Sequence, residues 1–153
     1  MAEILIADDD PILVEILKFR LEGAGHSVSV AKDGEEALAM VQSGAPQLIV
    51  LDSMMPILSG PEVLAQLKSD EAVRDIPVVM LTTSADEGDL SESLRNGARG
   101  YLLKDMEPDE LVLALQEIIA GKIVVAPALT SVLADLVRHG ERRERKDDMA
   151  PFS

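Results

Sequence analysis

The hydrophobic residues of this chain fall into five short runs that are separated by longer amphipathic segments. The runs occupy residues 4–7, 28–30, 48–51, 78–81 and 101–103. Four of them are continuous rather than alternating, a pattern that is typical of strands covered on both faces. The pattern therefore predicts five β-strands, most of them inside the molecule.

A segment with helical spacing follows each run. The first begins at Asp10, a favoured N-cap residue, with Pro11 in the first helical position, and it ends near Gly23. The second begins with a capping-box pattern at Asp33. The other three helices are predicted over residues 62–68, 87–96 and 108–120. The chain is therefore organised as five successive strand–helix units.

Strands that alternate with helices predict an α/β fold with a doubly wound, five-stranded parallel sheet and right-handed crossovers. Five units favour the strand order 2-1-3-4-5 of flavodoxin-like folds. In this order the carboxyl ends of strands 1 and 3 flank the point where the winding direction reverses, and ligands bind at such points. We therefore expect the functional groups just past the ends of the strands.

Acidic residues stand at both of these strand ends. Asp8 and Asp9 follow strand 1, and Asp52 follows strand 3. Three ionised carboxylates in one crevice repel one another, so either their pKa values rise or a cation lies among them. Oxygen ligands suit a hard divalent cation. The sequence therefore predicts a Mg²⁺ site, which Mn²⁺ could also occupy.

Two further polar residues follow strands 4 and 5, namely Thr82 and Lys104. The lysine supplies a fixed positive charge, and the threonine supplies a neutral hydrogen-bond donor. A carboxylate nucleophile, a metal ion, a lysine and a hydroxyl together are typical of phosphoryl transfer. Asp52 is the candidate acceptor because it is the single acid on the central strand. Each residue alone could be a cap, a turn former or a surface residue, so the interpretation rests on their joint placement.

The composition narrows the classes of function. The 153 residues include 28 acidic and 14 basic side chains, and the net charge of -14 disfavours binding to a nucleic-acid backbone. Because cysteine is absent, disulfides, thiolate zinc sites and thiol catalysis are excluded. The N-terminus lacks a basic targeting segment, and no apolar run is long enough to span a membrane. We therefore expect a single-domain cytoplasmic protein.

Four segments carry a resemblance to a known family. They are ILIADDDP at 4–11, LDSMMP at 51–56, PVVMLT at 77–82 and GYLLK at 100–104. In this order they closely resemble the receiver domain of two-component response regulators, over residues 3–121. The resemblance implies a switch that accepts a phosphoryl group, with no enzymatic activity beyond self-phosphorylation from small donors and autodephosphorylation.

The resemblance also implies roles for individual residues around the acceptor. Asp52 would receive the phosphoryl group from a sensor histidine kinase or a histidine phosphotransfer protein. Asp9, Asp52 and the main-chain carbonyl of Met54 would coordinate magnesium, and Asp8 would assist through a water molecule. Lys104 would pair with the acyl phosphate.

The switching residues follow from the same resemblance. Thr82 would move to hydrogen-bond the phosphoryl group, and Tyr101 would change rotamer from outward to inward. The fourth helix, fifth strand and fifth helix would then present a changed face to a downstream protein target or to a second copy of the chain. Neither nucleic acid nor a membrane is expected as a direct partner.

The resemblance is divided between subfamilies. The part from Gly97 to Arg138 is most similar to NarL-like receivers, and Lys104 is followed by Asp105 where many receivers have proline. The first two-thirds is more similar to OmpR-like or DivK-like receivers. A mixed ancestry, natural or engineered, is therefore a hypothesis.

The chain is predicted to have three regions. These are a receiver domain at 1–122, a linker-like helix at 123–140 and a charged, disordered tail at 141–153. Apolar residues recur at helical spacing over 127–138, namely Leu129, Val132, Leu133, Leu136 and Val137. This helix either packs back on its own domain, which we favour, or forms a dimer contact. His26 and His139 are predicted to be solvated surface residues.

Three alternative functions remain open. A magnesium-dependent aspartyl phosphohydrolase of the haloacid-dehalogenase type needs a second acid two residues after the nucleophile, where this chain has Met54. A flavodoxin would cradle a phosphate in its first loop, which three aspartates would repel. The chain could also be the receiver fragment of a DNA-binding regulator whose output domain is missing.

Overall fold

The computed structural model describes residues 2–83 and 87–130, together with positions 134 and 138. Within these residues the chain forms one parallel sheet of six strands in the order β2-β1-β3-β4-β5-β6. The strands are β1 (Glu3–Ala7), β2 (Ser27–Ala31), β3 (Leu48–Asp52), β4 (Val78–Thr82), β5 (Gly100–Leu103) and β6 (Val124–Val125). The predicted α/β class and the order of the first five strands are confirmed.

The five predicted helices are also present, each within a few residues of its predicted bounds. They are α1 (Pro11–Gly23), α2 (Gly34–Ser43), α3 (Gly60–Ser69), α4 (Glu87–Arg95) and α5 (Pro108–Ile119). A 3₁₀ turn at Pro127–Leu129 follows β6. None of the helices in the described part of the chain has the length and apolar character that crossing a membrane would need.

The sixth strand was missed by the sequence analysis. Val124 and Val125 pair with Gly100 and Tyr101 of β5, so they extend the sheet at its edge. The Ala126 amide donates to the Tyr101 carbonyl at 2.9 Å and continues this pairing. Two residues are too few to show a strand period, and only the neighbouring edge of β5 makes them a strand.

Helices cover both faces of the sheet, which explains why the strand sequences are continuously apolar. On one face, α2, α3 and α4 pack on alternate strand residues in a core that includes Leu5, Ile49, Leu51, Met80 and Tyr101. On the other face, α1 and α5 pack on Ile4, Ile6, Val50, Val79 and Leu102. Because successive side chains of a strand point to opposite faces, every position of a central strand must be apolar.

Side chains hold the starts of the first three helices. The Asp10 carboxylate accepts hydrogen bonds from the amides of Ile12 and Leu13, as the predicted N-cap requires. Asp33 caps α2 by accepting from the Glu36 amide at 2.8 Å. The reciprocal hydrogen bonds of a capping box, which the sequence analysis placed at Asp33, are found instead at the start of α3, between Ser59 and Glu62.

The C-terminal helix is described only at its start. Ala126 and Leu129 are fully buried in the core that contains Tyr101, so the chain at this point packs back on its own domain. Residues 131–133, 135–137 and 139–153 lie outside the described residues, and with them most of the predicted helix, His139 and the charged tail.

One histidine differs from its prediction. His26 was expected to be a solvated surface residue, but its Nδ1 atom accepts a hydrogen bond from the Ala2 amide at 3.0 Å. The amide belongs to the residue that precedes β1, so His26 secures the start of this strand. A single histidine in a loop gives no sequence signal for such a long-range contact.

Candidate acidic site at the strand ends

The three predicted carboxylates lie together at the carboxyl ends of β1 and β3. Oxygen atoms of Asp8, Asp9 and Asp52 are all within 4.8 Å of one another. Asp8 and Asp52 are each only 3% exposed, whereas Asp9 is exposed. The crevice therefore has two buried acids at its floor and one at its mouth.

Lys104 places its ammonium group between the two buried acids. Its Nζ atom lies 3.0 Å from an oxygen of Asp8 and 3.0 Å from an oxygen of Asp52. Burial lowers the pKa of Lys104, but the hydrogen bonds and charges of the two carboxylates outweigh this effect, so the net pKa is raised. The lysine therefore stays charged within the site.

The Asp52 carboxyl has a pKa of about 6, well above its ordinary value of 3.8. Burial is the main cause, and repulsion from Asp8 adds to it. A hydrogen bond from the Met54 amide and the Lys104 ammonium both act in the opposite direction. The ionised form of Asp52 is therefore disfavoured, mainly because the carboxyl is buried.

Backbone amides orient both buried carboxylates. The Asp10 amide donates to Asp8 Oδ1 at 2.9 Å, and the Met54 amide donates to Asp52 Oδ1 at 3.1 Å. In both cases an aspartate accepts from the residue two positions later, as in an Asx turn. The role of the Met54 amide was missed from the sequence, although an aspartate at a strand end is a known signal for this turn.

The loop after the acceptor contains a strained turn. The Leu58 amide donates to the Pro56 carbonyl at 2.8 Å, and Ile57 between them has φ of 72°. This geometry is a γ-turn of the rare positive-φ type, which is unfavourable for a β-branched residue. The loop returns to the acceptor at Gly60, where a methyl group would lie 2.9 Å from the Ser53 Cα atom.

Thr82 and Tyr101 lie beside the acids, on β4 and β5. Thr82 is the last residue of β4 and is 3% exposed, and its carbonyl accepts the Lys104 amide at 2.7 Å. Tyr101 is fully buried in the core on the α2–α4 face of the sheet. All peptide bonds in the described residues are trans, including the one between Lys104 and Asp105.

The chemistry of these groups fits a divalent cation. The site contains three carboxylates against one ammonium group, and its donors are the hard oxygen ligands that Mg²⁺ and Mn²⁺ prefer. Asp8 Oδ2 is buried 3.0 Å from the Lys104 ammonium, so this one cation serves both buried acids and leaves negative charge for a second cation to balance.

Comparison with known proteins agrees with this geometry. Residues 4–116 match the family described as "Response regulator receiver domain". The chain is 38% identical over 148 residues to the nitrate/nitrite response regulator protein NarL of Escherichia coli K12, covering 95% of this chain and 68% of NarL. It is 37% identical over 126 residues to the alkaline phosphatase synthesis transcriptional regulatory protein PhoP of Bacillus subtilis, covering 82% of this chain and 52% of PhoP.

A solved structure gives the same result. The Mn²⁺-bound form of the response regulator Rcp1 superposes with a TM-score of 0.69 at 30% identity, covering 79% of this chain and 94% of that one. The sequence and the fold are thus shared with a single family. The chain belongs to the response regulator receiver domain family.

Proposed function

We propose that this chain is a phosphorelay switch that accepts a phosphoryl group on Asp52 in the presence of Mg²⁺. The observation that carries the proposal is the placement of the Lys104 ammonium 3.0 Å from Asp52 within a cluster of three carboxylates. A lone structural ion pair would need one acid, whereas this crevice holds more negative charge than the lysine balances. An excess of acids around one fixed cation is what a charged transferable group and its metal ion require.

The acceptor step follows from the surroundings of Asp52. A carboxylate oxygen of Asp52 attacks the phosphorus of a phosphorylated imidazole, and a P–O bond forms as the P–N bond breaks. The electron pair of the broken bond returns to the imidazole nitrogen, which takes up a proton. The Met54 amide orients the attacking carboxylate, and the Lys104 ammonium stabilises negative charge on the transferred group.

The residues that would hold the metal are Asp9, Asp52 and the main-chain carbonyl of Met54, with Asp8 assisting through water. Magnesium, when bound, neutralises charge on the phosphoryl oxygens. The manganese-bound structure of Rcp1 supports the same class of ion for this chain. The carboxylate cluster supports three of the four assignments, and the Met54 carbonyl is supported by the family resemblance.

Switching would begin at Thr82, which lies at the end of β4 next to Lys104. A phosphoryl group brings about two negative charges and three acceptor oxygens, for which the Thr82 hydroxyl is a donor. Movement of Thr82 would change the packing around Tyr101 and hence the face formed by α4, β5 and α5. The two states of this face need to differ by only a few kcal/mol for phosphorylation to shift them.

The proposed partners are a sensor histidine kinase or a histidine phosphotransfer protein upstream, and a protein target or second copy of the chain downstream. Since such kinases draw on ATP, the exchange would take place in the cytoplasm. The net charge of -14 disfavours direct contact of this domain with nucleic acid. Because the chain spans 68% of NarL and 52% of PhoP, a DNA-binding output domain beyond it remains the alternative.

Mass spectrometry tests the acceptor directly. The protein is incubated with Mg²⁺ and a small phosphodonor, beside Asp52→Asn and a matched control, Asp75→Asn, at an exposed aspartate outside the site. The wild type and Asp75→Asn should gain the mass of one phosphoryl group, and Asp52→Asn should gain none. Uptake by Asp52→Asn, or failure of the wild type, would overturn the proposal. Turnover of a generic phosphoester would favour the phosphohydrolase instead.

A further inference from the structure

The start of α2 packs directly on the loop that follows the acceptor. Gly34 is buried as the first residue of α2. A methyl group at this position would lie 2.6 Å from the Leu58 Cβ atom, 2.8 Å from a Val63 methyl group and closer still to the Leu58 carbonyl oxygen. Such distances are shorter than any real contact of a Cβ atom, so glycine alone allows this approach.

The helix side of this contact is fixed. The Asp33 side chain accepts from the Glu36 amide at 2.8 Å, and the Asp33 carbonyl accepts from the Ala37 amide at 3.0 Å. Ala37 and Val41 of α2 are buried in the core shared with α3. Because Ala37 and Val41 anchor α2 in the core, whereas residues 54, 56 and 57 of the loop are exposed, a side chain at position 34 displaces the loop more readily than the helix.

The loop side of the contact is strained and held at its far end. The γ-turn at Ile57 ends at Leu58, which packs against the core, and the capping box of Ser59 and Glu62 secures the next residue. Strained backbone persists only where its surroundings hold it in place. Gly34 is part of those surroundings, because it contacts the carbonyl end of Leu58 directly.

Displacement of Leu58 would reach the acceptor. The loop is closed at its base, where the Gly60 amide donates to the Ser53 carbonyl at 3.3 Å. Within this closed loop the Met54 amide holds Asp52 at 3.1 Å. A shift at one side of so short a closed loop changes the position of its other side.

We infer that Gly34 is a positioning residue for phosphoryl acceptance, a role that rests on the proposed function. By leaving room for Leu58, it fixes the path of residues 53–58. Both the Met54 amide that orients Asp52 and the Met54 carbonyl that would bind the metal depend on that path. The three atoms nearest to a methyl group at position 34 belong to Leu58 and Val63, not to the acceptor or the proposed metal ligands.

The test compares Gly34→Ala with Gly100→Ala. A methyl group at Gly100 would lie 2.6 Å from the Ile118 Cδ1 atom, the far end of a flexible side chain, so this milder clash at the opposite end of the sheet controls for the substitution itself. In the metal-free proteins, the amide NMR signals of residues 53–58 should shift in Gly34→Ala and stay unchanged in Gly100→Ala. Phosphoryl uptake from a small donor with Mg²⁺ should fall about 10- to 100-fold in Gly34→Ala and less than twofold in the control.

Equal amide signals and equal uptake in Gly34→Ala and Gly100→Ala would overturn the positioning role while the proposed function stands. Failure of the wild type to take up phosphoryl would overturn both. If Gly34→Ala does not fold, Leu58→Gly removes the Cβ atom that faces Gly34 from the other side of the contact. This variant should shift the Met54 amide signal and reduce uptake severalfold, and wild-type values for both would overturn the inference.

Discussion

The two halves of the strand-end surface are built differently. On the β1 and β3 half, Asp8 and Asp52 are each held by a backbone amide and by Lys104, and the neighbouring helices α1 and α3 begin with side-chain caps. On the β4 and β5 half, Thr82 and Tyr101 are buried. The N-cap residue of the following helix α5, Glu107, makes no side-chain cap hydrogen bond.

The difference indicates that one half is built to accept the phosphoryl group and the other to change conformation. Directional hydrogen bonds fix the acceptor half, so its geometry is ready before a phosphoryl group arrives. On the other half the start of α5 has no side-chain cap hydrogen bond, so we expect this half to reach a second arrangement at lower cost. Four substitutions, at Lys104, Asp52, Thr82 and Ile57, test this comparison.

Removal of the central charge should have the largest effect. In Lys104→Met, the carboxylates of Asp8 and Asp52 lose the cation between them. We expect phosphoryl uptake to fall about 100-fold or more, because a preorganised charge is lost. We also expect the free energy of unfolding at pH 7 to fall by roughly 3 kcal/mol, since two buried acids are left unpaired. Uptake kinetics and chemical denaturation measure the two effects, and Lys122→Met, at an exposed lysine, serves as the control.

Asp52→Asn should stabilise the metal-free protein at neutral pH. The folded pKa of Asp52, about 6, lies above its ordinary value of 3.8, so the ionised carboxylate costs stability above pH 6. We expect the free energy of unfolding of Asp52→Asn to exceed that of the wild type by about 2–3 kcal/mol at pH 7, and this difference should decline as the pH falls from 6 towards 4. Denaturant titrations over this range measure it. A gain that is independent of pH would contradict the burial of Asp52 charge as its cause.

Thr82→Ala should separate acceptance from switching. Tyr101 is the only tyrosine and the chain has no tryptophan, so tyrosine fluorescence reports on this residue alone. We expect phosphorylation to change this fluorescence in the wild type and in Thr83→Ala, an exposed control. In Thr82→Ala, uptake should stay within about tenfold of the wild type while the fluorescence change is lost. A full fluorescence change in Thr82→Ala would show that Tyr101 responds by another route.

The strained turn gives the smallest expected effect. Asparagine tolerates positive φ better than isoleucine, and Ile57 is exposed, so little packing is lost in Ile57→Asn. We expect a gain in stability of about 0.5–1 kcal/mol with unchanged phosphoryl uptake. Thermal or chemical unfolding measures the gain. Ile12→Asn, at a similarly exposed isoleucine in α1, should show no such gain.

Local signals in the sequence predicted most of the fold. The apolar runs, Asp10 with Pro11 and the glycines after the helices predicted five strands and five helices, all of which are present. A strand that is buried on both faces must be apolar at every position, so it can be recognised in the sequence without knowledge of its contacts. The topology rules then brought Asp8, Asp9 and Asp52 to one place before any distance was known, and the distances agree.

Contacts between distant residues were decided only by the tertiary structure. The strand at Val124–Val125, the hydrogen bond from Ala2 to His26, the left-handed Ile57 and the close approach of Gly34 to Leu58 have no local signature. Each depends on a partner many residues away or on a loop closed at both ends. A sequence specifies which residues prefer which local conformation, but close packing determines which of them must accept an unfavourable one.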